Sequence, residues 1–182
     1  MVSHTCIVLD AVSLINLYAS NHIEEILQAM PCQIAVTEYV RTKEALWVYT
    51  DPNNKIKTNT TPIVLDPLVK AGLLKIVDYE SEGEARDFVY FSQFIDDGEA
   101  ITGAIALNRS WSVASDDNGA LKCFRREAPH LKLVSTFDLI NWWIEKDRPT
   151  EVLIVEVLRN IWQIGGHKPP PTHPLFNKCQ GF

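Results

Sequence analysis

The run at residues 5–9, Thr-Cys-Ile-Val-Leu, constrains the chain most. It is short, β-rich and without polar alternation, so neither face of a strand built from it suits water. Such strands belong in parallel sheets covered on both sides. The run stops at Asp10, and Val12, Ile15 and Ala19 then follow helical spacing. The strand-then-helix pattern recurs along the chain. A short helix over 23–29 ends at Pro31, 33–36 reads as a strand, and Thr37 caps a helix predicted to run to about Tyr49. Residues 51–61 carry Pro, paired Asn and repeated Thr, and read as a loop. Asp66-Pro67 opens a short helix that Gly72 closes, and 73–79 reads as a strand. Ser81 and Glu84 have capping-box spacing for a helix reaching about Ile95. Asp96 or Asp97 caps the next helix, ending near Asn108. Residues 112–115 and 131–134 are strands, separated by a turn and a helix to about Arg126. A helix follows over 137–146. Pro149 and Thr150 begin a last one, with Leu153, Ile154, Val157, Leu158 and Ile161 in a stripe, and Gly165-Gly166 ends it. Strands alternating with helices predict an α/β, three-layer domain with a mostly parallel central sheet flanked by helices.

Charge and cysteine usage narrow the function classes. Lys plus Arg number 17 against 23 Asp plus Glu in 182 residues, a formal charge of −6, which disfavours binding duplex DNA through a broad basic face. The four cysteines lie far apart with no CxxC pair. Cys6 and Cys32 fall in apolar segments, as expected of free thiols in a reducing cytosol. The apolar N-terminus is interrupted by Asp10, lacks a preceding basic region and reads as a strand and helix instead of a signal peptide. No apolar run approaches the ~18 residues of a spanning helix, so a cytoplasmic protein with no membrane association is expected.

The acids then matter by position. Asp10 closes the first strand, Glu38 follows the second, Glu99 lies in a first helical turn, and Asp116 and Asp117 end a later strand. In open parallel sheets, sites form beyond the carboxyl ends of strands. Acids gathered there repel one another, and a divalent cation resolves the conflict. Mg²⁺ and Mn²⁺ prefer oxygen ligands, and such ions activate water and stabilise the oxygens of phosphodiester cleavage. Each acid also has a plainer reading. Asp10, Asp97 and Asp117 are suited to N-caps, and Glu38 and Glu99 to helix first turns. Caps explain any one of them but not the set, and an unpaired charge closing so apolar a run as 5–9 is costly.

These residues resemble the PIN-domain family of metal-dependent ribonucleases, VapC-type toxins among them. The resemblance rests on V-L-D-A-V-S-L-I-N-L at 8–17, V-T-E-Y-V at 36–40, D-D-G-E-A-I-T-G-A-I-A-L at 96–107 and S-D-D-N-G-A-L at 115–121. It implies a PIN-like endoribonuclease domain over 1–148, with catalytic metal ligation by Asp10, Glu38, Glu99 and Asp116. Ser13, Asp117 and Asp97 are then accessory residues, and Mg²⁺ or Mn²⁺ the cofactor. It also implies an RNA substrate, a homodimer and, for a toxin, a cognate antitoxin. Gly83-Glu84-Ala85 repeats the tripeptide around Glu99, but Glu84 is better explained by its capping box. Two features depart from the family pattern. Leu121 stands where relatives commonly carry Arg, and the helix over 149–166 with the Pro-rich tail over 167–182 exceeds the compact toxin.

Other features are weaker. Arg41, Lys43, Lys122, Arg125 and Arg126 suit an RNA backbone, or simply solvated helix faces. Among the Trp residues, Trp47, Trp111, Trp142, Trp143 and Trp162, most read as core or interface. Adjacent Trp142 and Trp143 point different ways on a helix, and one of them is a candidate partner surface. The tail holds four of the ten prolines and is expected to be extended or mobile; His167, His173 and Cys179 on it lack a fourth ligand for a structural zinc. The alternatives are an inactive PIN-like scaffold binding protein or RNA, and a nuclease of the RNase H type. The latter is disfavoured because Asp10 leads straight into a helix. A haloacid-dehalogenase-type phosphatase is disfavoured by Val12, where a second Asp would stand.

Overall fold

The structure, a computed structural model, describes residues 4–51 and 59–179. Five strands form one parallel sheet in the order β5-β2-β1-β6-β7: β1 (Cys6–Leu9), β2 (Gln33–Thr37), β5 (Leu74–Val77), β6 (Ser112–Ala114) and β7 (Lys132–Val134). A separate antiparallel pair joins β3 (Trp47–Tyr49) to β4 (Thr60–Pro62).

The two-residue period of the strands sends alternate side chains to two cores, giving the expected three layers. Ile7 and Leu9 of β1, with Ile34 and Val36 of β2, face one core. It is covered by α1 (Ala11–Ala19), α2 (Ile23–Gln28), α3 (Asp66–Lys70), α7 (Thr136–Asp147) and α8 (Glu151–Asn160). Cys6, Val8 and Ala35 face the other, under α4 (Glu82–Phe91), α5 (Asp97–Asn108) and α6 (Asn118–Glu127). The small residues of α5 bring it close to its neighbours. A Cβ at Gly103 would stand 2.3 Å from the ring of buried Phe124 on α6.

The α/β class, the parallel sheet and the capping box of α4 are as the sequence predicts. In that box the Ser81 hydroxyl accepts from the Glu84 N–H, and the Glu84 carboxylate accepts from the Ser81 N–H. Two segments differ. The helix predicted from Thr37 to about Tyr49 ends instead in a wide turn over Val40–Glu44, closed where the Ala45 N–H donates to the Val40 carbonyl at 2.9 Å. The chain beyond it is β3, as the β-favouring run Trp-Val-Tyr prefers. Its partner β4 takes up the end of the predicted loop over 51–61, while 52–58 lie outside the described residues.

The C-terminal segment is the second difference. After α8 another wide turn, Ile161–Gly165, leads to Gly166 at φ +90°, and a short 3₁₀ turn spans Pro174–Cys179. Leu175 and Cys179 are buried in the first core, so the described tail is packed. Lys178 ties it to Glu151 at 2.7 Å. Prolines rigidify the tail without keeping it off the protein. Among the described residues no helix is long and apolar enough to cross a membrane.

Candidate functional site

Strand order places the site. The chain lays β2 on one side of β1 and returns to place β6 on the other, so the order reverses at β1. In such sheets a crevice opens beyond the carboxyl ends of the strands at that reversal. The segments at this end are stitched together: the Asp10 N–H donates to the Ala114 carbonyl at 3.0 Å, and the Ser115 N–H to the Val134 carbonyl at 3.1 Å.

Asp10 is almost wholly buried. One oxygen, Oδ1, accepts from the Ser13 N–H at 2.6 Å and caps α1; Oδ2 has no hydrogen-bond partner in the protein. The cap reading is therefore correct for one oxygen and leaves the other unexplained. Burial pushes this carboxyl up to about 7, and nearby Asp116 adds to the rise. The hydroxyls of Ser115 and Ser13 temper it without closing a hydrogen bond on Oδ2. Ser13 itself is buried, with its Oγ unpartnered.

Glu99, in the first turn of α5, is likewise pushed up to about 7, by burial first and then by the charges of Asp117, Asp10 and Asp96. Asp10 thus comes within electrostatic reach of Asp116 and Glu99, and Glu99 of Asp117, from three separate segments. Asp116 is held on both oxygens: Oδ2 accepts from Asn16 Nδ2 at 3.1 Å and Oδ1 from the Thr136 N–H at 3.0 Å. Asp117 caps α6 by accepting from the Ala120 N–H at 2.8 Å.

The remaining acids are placed differently. Glu38 follows β2 at the same sheet edge, but Arg41 pairs with it at 3.3 Å and with Asp66 at 3.1 Å. Asp97 is the first residue of α5 and not its cap, a position Asp96 occupies; Asp97 accepts from the Tyr39 hydroxyl at 3.4 Å. A residue the sequence reading misses is Glu44. Its carboxylate accepts from the Gly98 N–H at 3.2 Å, and burial with Asp96 and Asp97 raises its pKa. A Cβ at Gly98 would stand 1.9 Å from Glu44 Oε2, so this approach needs glycine. The signal that points to Glu44 is the Trp-Val-Tyr strand run, which ends the preceding helix early.

Among the described residues no three His, Cys, Asp or Glu side chains are close enough to form a ready-made metal centre. The donor chemistry nevertheless fits a hard cation, since Asp10, a buried carboxylate with an orphaned oxygen, lies within electrostatic reach of other acids. Glu84 has its charge satisfied elsewhere. Burial pushes its carboxyl up, but Arg109 at 2.6 Å and the N–H groups of Glu80 and Ser81 outweigh this and hold it below the ordinary range.

The basic and aromatic candidates divide. Arg41 is held by acids, and Arg126 pairs with Glu127 and covers the Phe94 ring. Lys43, Lys122 and Arg125 are exposed. Trp143 is buried, while Trp142 is half-buried against His4, with ring centroids 5.4 Å apart. Trp162 is 37% exposed, with Lys168 over its ring. His173 packs against Phe137 and Asp138, and Cys179 bonds the Leu175 carbonyl. No protein-family model matches the chain, and no curated protein shows significant similarity to it.

Proposed function

We propose that this protein is a PIN-like, divalent-metal-dependent endoribonuclease whose site lies at the carboxyl edge of the parallel sheet. The observation that carries the reading is Asp10: a buried carboxylate with a free oxygen, opposed by acids from two other segments. Groups strained in this way cluster at functional sites, and a Mg²⁺ or Mn²⁺ ion relieves the strain. Asp10, Glu99 and Asp116 would hold the ion, with Asp117 beside them. Glu38 would join only on leaving Arg41. When bound, the cation supplies the positive charge that activates water and offsets charge on a phosphodiester. The chain's own residues keep Asp10 and Asp116 fixed through the Ser13 and Thr136 N–H groups, and exposed Lys43, Lys122 and Arg125 offer phosphate contacts that position RNA without reading it. A toxin role adds a homodimer and an antitoxin to this reading.

The second reading is an inactive scaffold, favoured by the Glu38–Arg41 pair and by the lack of a ready-made ligand trio among the described residues. Melting temperature against Mn²⁺ and Mg²⁺ separates the two. A ligand confined to the folded state stabilises by about 2.7 kcal/mol at a hundredfold excess over its dissociation constant. The expected result is a rise in the wild type that Asp10→Asn abolishes, with cleavage of single-stranded RNA lost in Asp116→Asn. Asn still caps α1, so the variant tests charge and not folding. No rise in the wild type, together with RNA left intact, would favour the scaffold.

A further inference from the structure

Asn16 lies wholly buried on α1, one hundred residues from the acid it serves, and its Nδ2 donates to Asp116 Oδ2 at 3.1 Å. Its Oδ1 is buried with no hydrogen-bond partner. A buried amide left half-satisfied costs stability, and apolar residues of similar size avoid that cost. The C-terminal segment passes this same atom in space that only glycine leaves free: a Cβ at Gly165 would stand 2.2 Å from Asn16 Oδ1 and 3.3 Å from its Cγ. Asn16 is wholly buried, so a methyl at Gly165 would have to displace the amide that donates to Asp116. The segment also reaches the second donor. Thr136, whose N–H holds Asp116 Oδ1, opens α7, and the next two residues, Phe137 and Asp138, pack against His173 of the tail. Asn160 adds a bond from α8 to the Ser20 carbonyl at the end of α1, at 3.4 Å.

We propose that Asn16 is a positioning residue for Asp116, and that the C-terminal segment, through the Gly165 backbone, locks it in place and so sets the cation affinity of the site. This rests on the metal reading above. The segment after residue 148 is then a working part of the site and not an appendage.

The test titrates Mn²⁺ calorimetrically into the full chain, as wild type, Asn16→Ala, Gly165→Ala and the double variant, at a temperature where circular dichroism shows each to be folded. Loss of a group that orients a ligand typically lowers metal affinity by about 10- to 100-fold. Both single variants are expected to show such a loss. The double variant should bind no more weakly than Asn16→Ala, because without the amide the added methyl has nothing to displace. Ile26→Val, a core change on α2, which carries none of the candidate acids' hydrogen-bond donors, should lower the melting temperature and leave affinity unchanged. Wild-type binding with Gly165→Ala within twofold of it would overturn the inference alone, as would losses that multiply in the double variant. Absence of Mn²⁺ binding in the wild type would overturn the metal reading, and the inference with it.

Discussion

A buried carboxyl that keeps its proton to about 7 binds more protons in the folded chain than in the unfolded one, where Asp titrates near 3.8. Across that window the folded state loses stability as pH rises, because the raised pKa penalises the charged form. For Asp10 the expected outcome is a melting temperature that falls from pH 4 to pH 7 by more in the wild type than in Asp10→Asn. Differential scanning calorimetry at several pH values without metal checks this, and equal slopes would remove the strain assigned to Asp10. Asp10, Glu99 and Asp116 are legible in the sequence because each closes an apolar strand or opens a helix. Glu38 is legible as an acid after a strand, but its pairing with Arg41 depends on a turn geometry that spacing does not encode. Asn16 escapes notice for another reason. One polar residue on an apolar helix face looks like tolerated core, and its partner is a hundred positions away.

At the scale of elements, α5 and α6 meet through a missing side chain. The Phe124 ring is enclosed, standing edge-on to Phe91 with centroids 5.5 Å apart, and it fills the space a Cβ at Gly103 would need. Gly103→Ala is therefore expected to destabilise by roughly 1–3 kcal/mol, although Ala is the better helix former, because overpacking outweighs propensity. Urea unfolding of the variant checks this, and a gain in stability would mean that the ring yields freely. The two sequence–structure differences also belong here. Helical spacing after Thr37 continues for a turn, then gives way where Trp-Val-Tyr finds a partner in β4. That pairing is non-local, and periodicity over a short window is blind to it. The capping box of α4 needs only four residues and reads directly from the sequence.

For the whole molecule, the Pro-rich tail shows how composition misleads when packing decides. Residues 167–173 form neither helix nor strand, yet Leu175 and Cys179 just beyond them reach the core that α1, α7 and α8 share. Leu175→Ala is expected to cost about 2 kcal/mol or more and to lower a single unfolding transition. A separate early transition, or none at all, would show the tail to be independent of the domain. The reversal of strand order at β1 carries a consequence of timing. Asp10 precedes its neighbour Asp116, which arrives only after β6, and the Thr136 N–H that holds Asp116 comes later still in the chain. A chain emerging from the ribosome completes β1, β2 and β5 with the carboxylate of Asp10 facing none of these. The acids at this edge of the sheet therefore meet only after the three strands β1, β2 and β5 have been laid down.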